Sequence, residues 1–253
     1  MLYVEAHDEI GGELVLSGGE PGRDDFWFEL GLGGVLHGEG RFTDTDYGIG
    51  QTLFSETFSA VSSSASSASL RIAMPFVNPL ELKGVRIAPY LVAHTQARSV
   101  TAFGLECGAA CPARAALPAD MAVIDMISHR VDLGAGIRLE RQLGTQGTLH
   151  LRAELTGGHL DLRSSHHLRT AQSDLGPTPN IHYQFNTVGM HVETGYTHAL
   201  NETTSLAGSV FVEGHMGGGT AVLGVSSRAP TPPLPAFASG LAIGVVLGGA
   251  VSF

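Results

Sequence analysis

Apolar residues alternate with small or polar residues in eight segments of the sequence. The last segment shows this most fully, because Leu241, Ile243, Val245 and Leu247 would share one face of a strand. In the other segments Arg or Glu often stands where a helix would need an apolar residue. The pattern therefore predicts eight β-strands, within residues 26–37, 70–76, 85–94, 131–140, 149–156, 188–197, 206–213 and 241–253.

The composition indicates that these strands cross a membrane. Charged residues make up 15% of the 253 residues, and the mean hydropathy is +0.15. No apolar run reaches the roughly 18 residues that a transmembrane helix needs. A β-barrel satisfies both observations, because one face of each strand meets lipid and the other faces the interior. The predicted fold is all-β, an antiparallel transmembrane β-barrel.

The charge balance narrows the choice of partners. The sequence has 14 Lys and Arg against 24 Asp and Glu, a formal net charge of −10. Nucleic-acid binding needs clustered basic residues, so nucleic acid is excluded as a partner.

The chain ends at Phe253, directly after the most regular alternation. In this respect it resembles bacterial outer-membrane β-barrel proteins, whose last strand alternates in the same way and ends in Phe. The resemblance implies an outer-membrane location, contact with lipid and lipopolysaccharide, and recognition of Phe253 by the barrel-assembly machinery.

The connections between the predicted strands alternate in length, as in such barrels. Short turns on the periplasmic side are expected at residues 77–84, 144–147 and 200–204. Long extracellular loops are expected near residues 44–57, 104–125, 164–180 and 215–237. The last of these holds a proline cluster, which predicts an interruption of the strand ladder.

Residues 1–25 are assigned to a segment separate from the barrel of residues 26–253. Residues 2–10 and 13–16 have β character, but each stretch is too short to cross about 30 Å of hydrocarbon. A periplasmic or plugging segment keeps the count at eight strands. A truncated hairpin, which would give ten strands, is the alternative.

Asp44 and Asp46 stand in an Asp-x-Asp-aromatic pattern just after the first predicted strand. Here the chain resembles the omptins, ten-stranded outer-membrane proteases that carry such a motif at the barrel rim. The resemblance implies a histidine on a later strand, for which His166 and His167 are the candidates. Omptins also place an Asp two residues before that histidine, whereas this chain has Ser164 or Ser165 there. We therefore expect no proteolysis.

Charged residues recur at the inward positions of the predicted strands. An unpaired charge in a narrow interior is costly, and eight strands leave room for little more than side chains. We expect these residues to form a filled polar lumen, with a conducting pore as the alternative. The network is predicted to contain Glu29, Arg86, Asp132, Arg138, Glu140, Arg152, Glu154, Glu193 and Glu213. No histidine spacing within a strand indicates a metal site, and no cofactor is predicted.

Cys107 and Cys111 are the two cysteines of the chain. They are predicted to form a short-loop disulfide in an oxidising compartment, with a metal or redox pair as the alternative.

Three functions remain after these arguments. The first is a non-catalytic structural or surface-binding protein, whose extracellular loops contact a protein or a glycan. The second is an omptin-like endopeptidase that uses Asp44, Asp46 and His166 or His167. The third is a small channel.

Overall fold

A computed structural model describes residues 2–19, 26–47, 53–74, 80–108, 117–169, 175–201, 203–228 and 231–251. The secondary structure in these residues is β-strand, apart from one 3-10 turn, η1, at His167–Arg169. The described part of the chain has no helix that is long and apolar enough to cross a membrane.

The strands pair into a single antiparallel sheet. Their bounds are β1 Leu2–Gly18, β2 Phe28–Tyr47, β3 Leu53–Ala73, β4 Leu80–Leu82, β5 Val85–Cys107, β6 Leu117–Leu143, β7 Gly147–His166, β8 Ile181–Ala199, β9 Thr204–Leu223 and β10 Leu234–Val251. Each long strand pairs with the next long strand along the chain, and β4 pairs with β5. Within the described residues no ladder joins β1 to β10.

The sheet has ten strands, so the expected count of eight is too low. The eight predicted segments lie in β2, β3 and β5–β10, and the structure adds β1 and the three-residue β4. Residues 2–18 pair with β2 along their whole length instead of forming a separate segment. The register shift between Ala6 and Asp8 explains the error, because the extra residue in β1 breaks the alternation that marks a strand.

The connections divide between two ends of the sheet, which we call the turn end and the loop end. At the turn end, residues 83–84, 144–146 and 200–203 join neighbouring strands. Lys83 and Gly84 have φ of 51° and 75°, as a two-residue hairpin turn with two left-handed residues requires. At the loop end, residues 167–180 and 224–233 are the connections that follow β7 and β9.

The strands run further towards the loop end than the sequence indicates. Most of residues 44–57 and 215–237 belong to strands and not to loops. Pro235 lies inside β10, opposite Thr220, although the proline cluster predicts an interruption there. β10 ends the order of paired strands, and an edge strand tolerates a residue that has no N–H to donate.

The outer face of the sheet is apolar and the inner face carries the charges. Leu241, Ile243, Val245 and Leu247 are all exposed, as are Leu133 on β6 and Leu155 on β7. By contrast, Glu29, Asp132 and Glu154 are buried. This distribution is the reverse of that in a protein dissolved in water, and it is the distribution of a sheet whose outer face meets hydrocarbon.

Side-chain contacts show that the sheet curls. Glu29 on β2 and Arg152 on β7 are four strands apart in the sheet order, which is about 19 Å across a flat sheet. Their Oε1 and Nη2 atoms are 2.8 Å apart. The inner face therefore faces itself across a narrow interior.

Val245 provides a test of the outer face. Its side chain is 70% exposed on β10, so Val245→Arg should destabilise the protein by roughly 2–4 kcal/mol in a bilayer if it lies near the midplane. Asn186→Arg is the matched control, because Asn186 is exposed at the polar end of the outer face on β8, and it should cost no more than about 1 kcal/mol. Denaturant titration of the protein folded in vesicles measures both values. Equal costs for the two variants would contradict the assignment of the faces.

Candidate functional site

The interior of the sheet near the turn end is filled by a network of charged side chains. Glu29 is at its centre, because its carboxylate contacts Arg138 at 2.9 Å, Arg152 at 2.8 Å and Arg71 at 3.4 Å. Arg71 Nε also contacts Glu154 Oε1 at 2.6 Å. The network joins strands β2, β3, β6 and β7.

Four further groups complete this network. Tyr90 is fully buried, and its hydroxyl donates to Glu154 Oε1 at 2.8 Å. Glu193 lies 3.3 Å from Arg152, and Glu140 contacts Arg138 at 2.8 Å and Arg86 at 3.8 Å. Every arginine of this set therefore has a carboxylate partner.

A second polar cluster lies nearer the loop end. Arg130 contacts Asp132 and Glu213, both at 2.6 Å, and His215 Nδ1 at 3.1 Å. His191 lies 3.7 Å from Glu193, which connects this cluster to the network around Glu29. Beyond Arg130, the guanidinium of Arg98 pairs with Glu9 of β1.

The structure thus places each of the nine residues proposed from the sequence for the lumen network within one of these two clusters. Sequence reasoning left out Arg71, Arg130 and Arg98. Arg71 could have been found, because it alternates with the outward-facing Leu70. Arg130 lies in β6 and Arg98 lies in β5, both at positions outside the predicted segments.

An apolar cluster occupies the interior at the loop end. Phe42, Val61, Val100, Ala102 and Met126 are buried there on strands β2, β3, β5 and β6. Apolar packing therefore lines the interior along these four strands, above the polar clusters.

The four residues proposed for catalysis do not form one cluster among the described contacts. The backbones of Asp44 and Asp46 lie in β2 opposite Thr57 and Ser55, and their side chains are outside the described part. His166 ends β7 and is only 4% exposed. Its backbone N–H donates to Asn180 Oδ1 at 3.0 Å, and Asn180 Nδ2 donates back to the His166 carbonyl at 3.3 Å. This pair ties the two ends of the 167–180 connection together.

His167 lies on the other side of the sheet and has a carboxylate partner. Its Nε2 is 2.7 Å from Oδ2 of Asp125 on β6. No Asp stands two residues before His167, but Asp125 on the neighbouring strand supplies a carboxylate for it. Asp125 is 42 residues away in sequence, so only the strand pairing brings the two together.

A second His–Asp pair lies on the same outer face. His182 Nε2 is 2.6 Å from Oδ2 of Asp161, and Arg163 lies 3.6 Å from the other carboxylate oxygen. Neither residue of this pair was among the site candidates proposed from the sequence.

Two cysteines and the last residue of the sequence were also proposed as site residues. Cys107 ends β5 and is disulfide-bonded, and Cys111 is outside the described residues. Phe253 is also outside them. Within the described residues, no group of three or more His, Cys, Asp or Glu is arranged to hold a metal ion.

The described features define a class of protein: a curled antiparallel sheet with an apolar outer face, a charged interior and its longer connections at one end. A solved structure with a similar fold is that of the outer membrane protease OmpT from Escherichia coli, at a TM-score of 0.64. The two chains are 11% identical, over 90% of this chain and 79% of OmpT. Similarity at this identity shows the fold alone.

The sequence itself matches no protein-family profile, and no curated protein sequence is similar to it.

Glu29 provides a test of the interior network. Glu29→Gln removes the carboxylate that three arginines share, so it should lower the free energy of unfolding by about 3–5 kcal/mol. Glu39→Gln is the matched control, because the Glu39 side chain is 72% exposed and contacts His37 at 3.1 Å, and it should change stability by less than about 0.5 kcal/mol. Denaturant titration measures both. A loss below about 1 kcal/mol for Glu29→Gln would contradict a central role for this carboxylate.

Proposed function

We propose that the protein is a bacterial outer-membrane β-barrel that acts by binding at the cell surface and not by transport. The apolar outer face and the fold shared with an outer-membrane protein support the location. The loop end is then extracellular and the turn end periplasmic. Lipid and lipopolysaccharide contact the outer face, and the barrel-assembly machinery inserts the chain.

The buried charge network is the observation that carries this proposal. Glu29, Arg71, Arg138, Arg152 and Glu154 fill the interior near the turn end with contacts of 2.6–3.4 Å. An open pore would need these ion pairs to separate, and each broken buried pair costs several kcal/mol. The apolar cluster around Phe42 and Met126 lines the interior above this network. A protein sealed in this way interacts through its outer surface and its loops.

The partner at the loop end is proposed to be a protein or a glycan. The strands extend beyond the apolar outer face, and the two longest connections, residues 167–180 and 224–233, are at this end. Long connections held on a rigid sheet are the usual place for binding residues.

Conductance measurements test the sealed interior. The wild-type protein in a planar lipid bilayer should give no regular conductance steps, because no water-filled path crosses the network. Insertion is verified separately by protease protection of the reconstituted protein. Reproducible steps of a single size from inserted protein would overturn the proposal in favour of the channel.

An omptin-like endopeptidase is the second candidate. The fold shared with OmpT and the position of Asp44 and Asp46 on β2, beside the connection to β3, favour it. Against it stand the burial of His166 and the pairing of His167 with Asp125 on the outer face, since an omptin-like site needs a histidine that shares one water with Asp44 and Asp46.

Peptide cleavage separates the two candidates. The protein in detergent with lipopolysaccharide should not cleave a fluorogenic dibasic peptide above the rate of a heat-unfolded control. Cleavage that is lost in both Asp44→Asn and His166→Ala, but kept in Glu39→Gln, would make the protein a protease and contradict the first candidate.

A further inference from the structure

Four side chains on the outer face near the loop end carry an inference beyond surface binding. They are Thr101 on β5, Asp125 on β6, Ser165 on β7 and His167 in η1. On β6, Met126 is 7% exposed within the inner apolar cluster, whereas Ile127 is 52% exposed. Asp125 shares the face of Ile127 because side chains alternate along a strand. Thr101 and Ser165 are its cross-strand partners, so they lie on the outer face too.

These groups form a hydrogen-bonded chain. The hydroxyl of Thr101 donates to Oδ1 of Asp125 at 2.7 Å. Oδ2 of the same carboxylate is 2.7 Å from Nε2 of His167. When Nε2 donates to the carboxylate, Nδ1 is the basic nitrogen of the neutral ring. Asp125 therefore holds the imidazole in one orientation and would stabilise its protonated form, as the carboxylate of a hydrolase triad does.

Ser165 supplies a hydroxyl beside this pair. It is directly opposite Asp125 in the sheet register and two residues before His167. Side chains directly opposite each other in an antiparallel pair have Cβ atoms about 5 Å apart, so Ser165 adjoins the carboxylate that His167 contacts. Serine and histidine thus adjoin the same aspartate on one surface, and they come from β7 and the turn that follows it.

A groove adjoins this cluster. Its volume is about 330 Å³, and small side chains on β3 and β5 form most of its wall, among them Ser64, Ser66, Ala97 and Ser99, with Ile127 at its β6 side. Ile127 is opposite Ser99 and two residues from Asp125 on the same face. Arg98 also contributes to the wall. A shallow groove that is lined mostly by small side chains and bordered by Ile127 fits an acyl chain.

We propose that Ser165, His167 and Asp125 form an outward-facing hydrolytic site for carboxylic esters, with the acyl chain in the groove. Ser165 Oγ attacks the ester carbonyl carbon, and its proton passes to His167. The bond from the acyl carbon to the alkoxy oxygen breaks, and the alcohol leaves with that proton. Water, deprotonated by His167, then releases the carboxylic acid and restores the Ser165 hydroxyl. The acyl ester could belong to a membrane lipid or to a soluble compound, and the two are tested separately.

The test uses the full-length protein folded in detergent micelles, with p-nitrophenyl octanoate as the soluble ester. Fatty-acid release from phosphatidylethanolamine vesicles containing the protein is the lipid assay. Hydrolysis of either substrate is expected, and it should fall by at least about 100-fold in Ser165→Ala and in His167→Ala. Asp125→Asn should also lower the rate, because the tautomer of His167 is no longer fixed.

His182→Ala is the matched control. His182 also pairs with an aspartate on the outer face, at 2.6 Å, but its cross-strand partners are Arg163 and Val222 instead of a serine. The variant should keep the wild-type rate. Ser66→Leu, which fills the groove, should slow hydrolysis of the octanoate ester more than that of the acetate ester.

A second measurement does not depend on how the variants fold. A fluorophosphonate probe should label folded wild-type protein, and peptide mass spectrometry should place the label on Ser165. Absence of both hydrolysis and labelling in folded wild-type protein would overturn the proposal. So would a label on another residue, or full activity in a folded Ser165→Ala variant.

Discussion

The carboxylate of Glu29 is the contact on which the shape of this protein depends. It joins arginines on three other strands, with contacts of 2.8–3.4 Å, across an interior from which most water is excluded. A charge buried in such a place is tolerated only when it is paired. The curled sheet and the charge pairs therefore require each other, because flattening the sheet would leave each partner buried without its counterion or would expose both.

The same requirement explains which parts of the fold could be predicted from the sequence. Alternation along β10 gives its two faces directly, since Leu241 and Val245 are exposed on the outer face. β1 was missed because the register shift between Ala6 and Asp8 reverses its faces partway along the strand, and a pattern with a period of two cannot survive that reversal. Pro235 was predicted to interrupt a strand, but it lies inside β10. A strand at the end of the sheet order can accommodate Pro, and this position depends on the whole sheet and not on the local sequence.

The candidate chemistry was harder to predict, for a different reason. Asp125 and His167 are 42 residues apart, and no local spacing connects them. Their contact follows from the register of β6 against β7, which is set along the whole ladder from Ile124 to Leu143. A sequence search for Asp-x-His examines only one strand at a time. It therefore cannot detect a carboxylate that is supplied by the neighbouring strand.

Adjacent residues of β6 show how the sheet separates stability from surface chemistry. Met126 packs into the inner apolar cluster, while Asp125 and Ile127 on either side of it face outward. Closer to the turn end the outward positions of the same strand become Val131 and Leu133, which are exposed and apolar. Substitutions at Asp125 thus leave the inner packing in place, because the side chain at this position faces outward and does not enter the interior. Outward-facing side chains near the loop end can therefore be substituted without disturbing the charge pairs that keep the sheet curled.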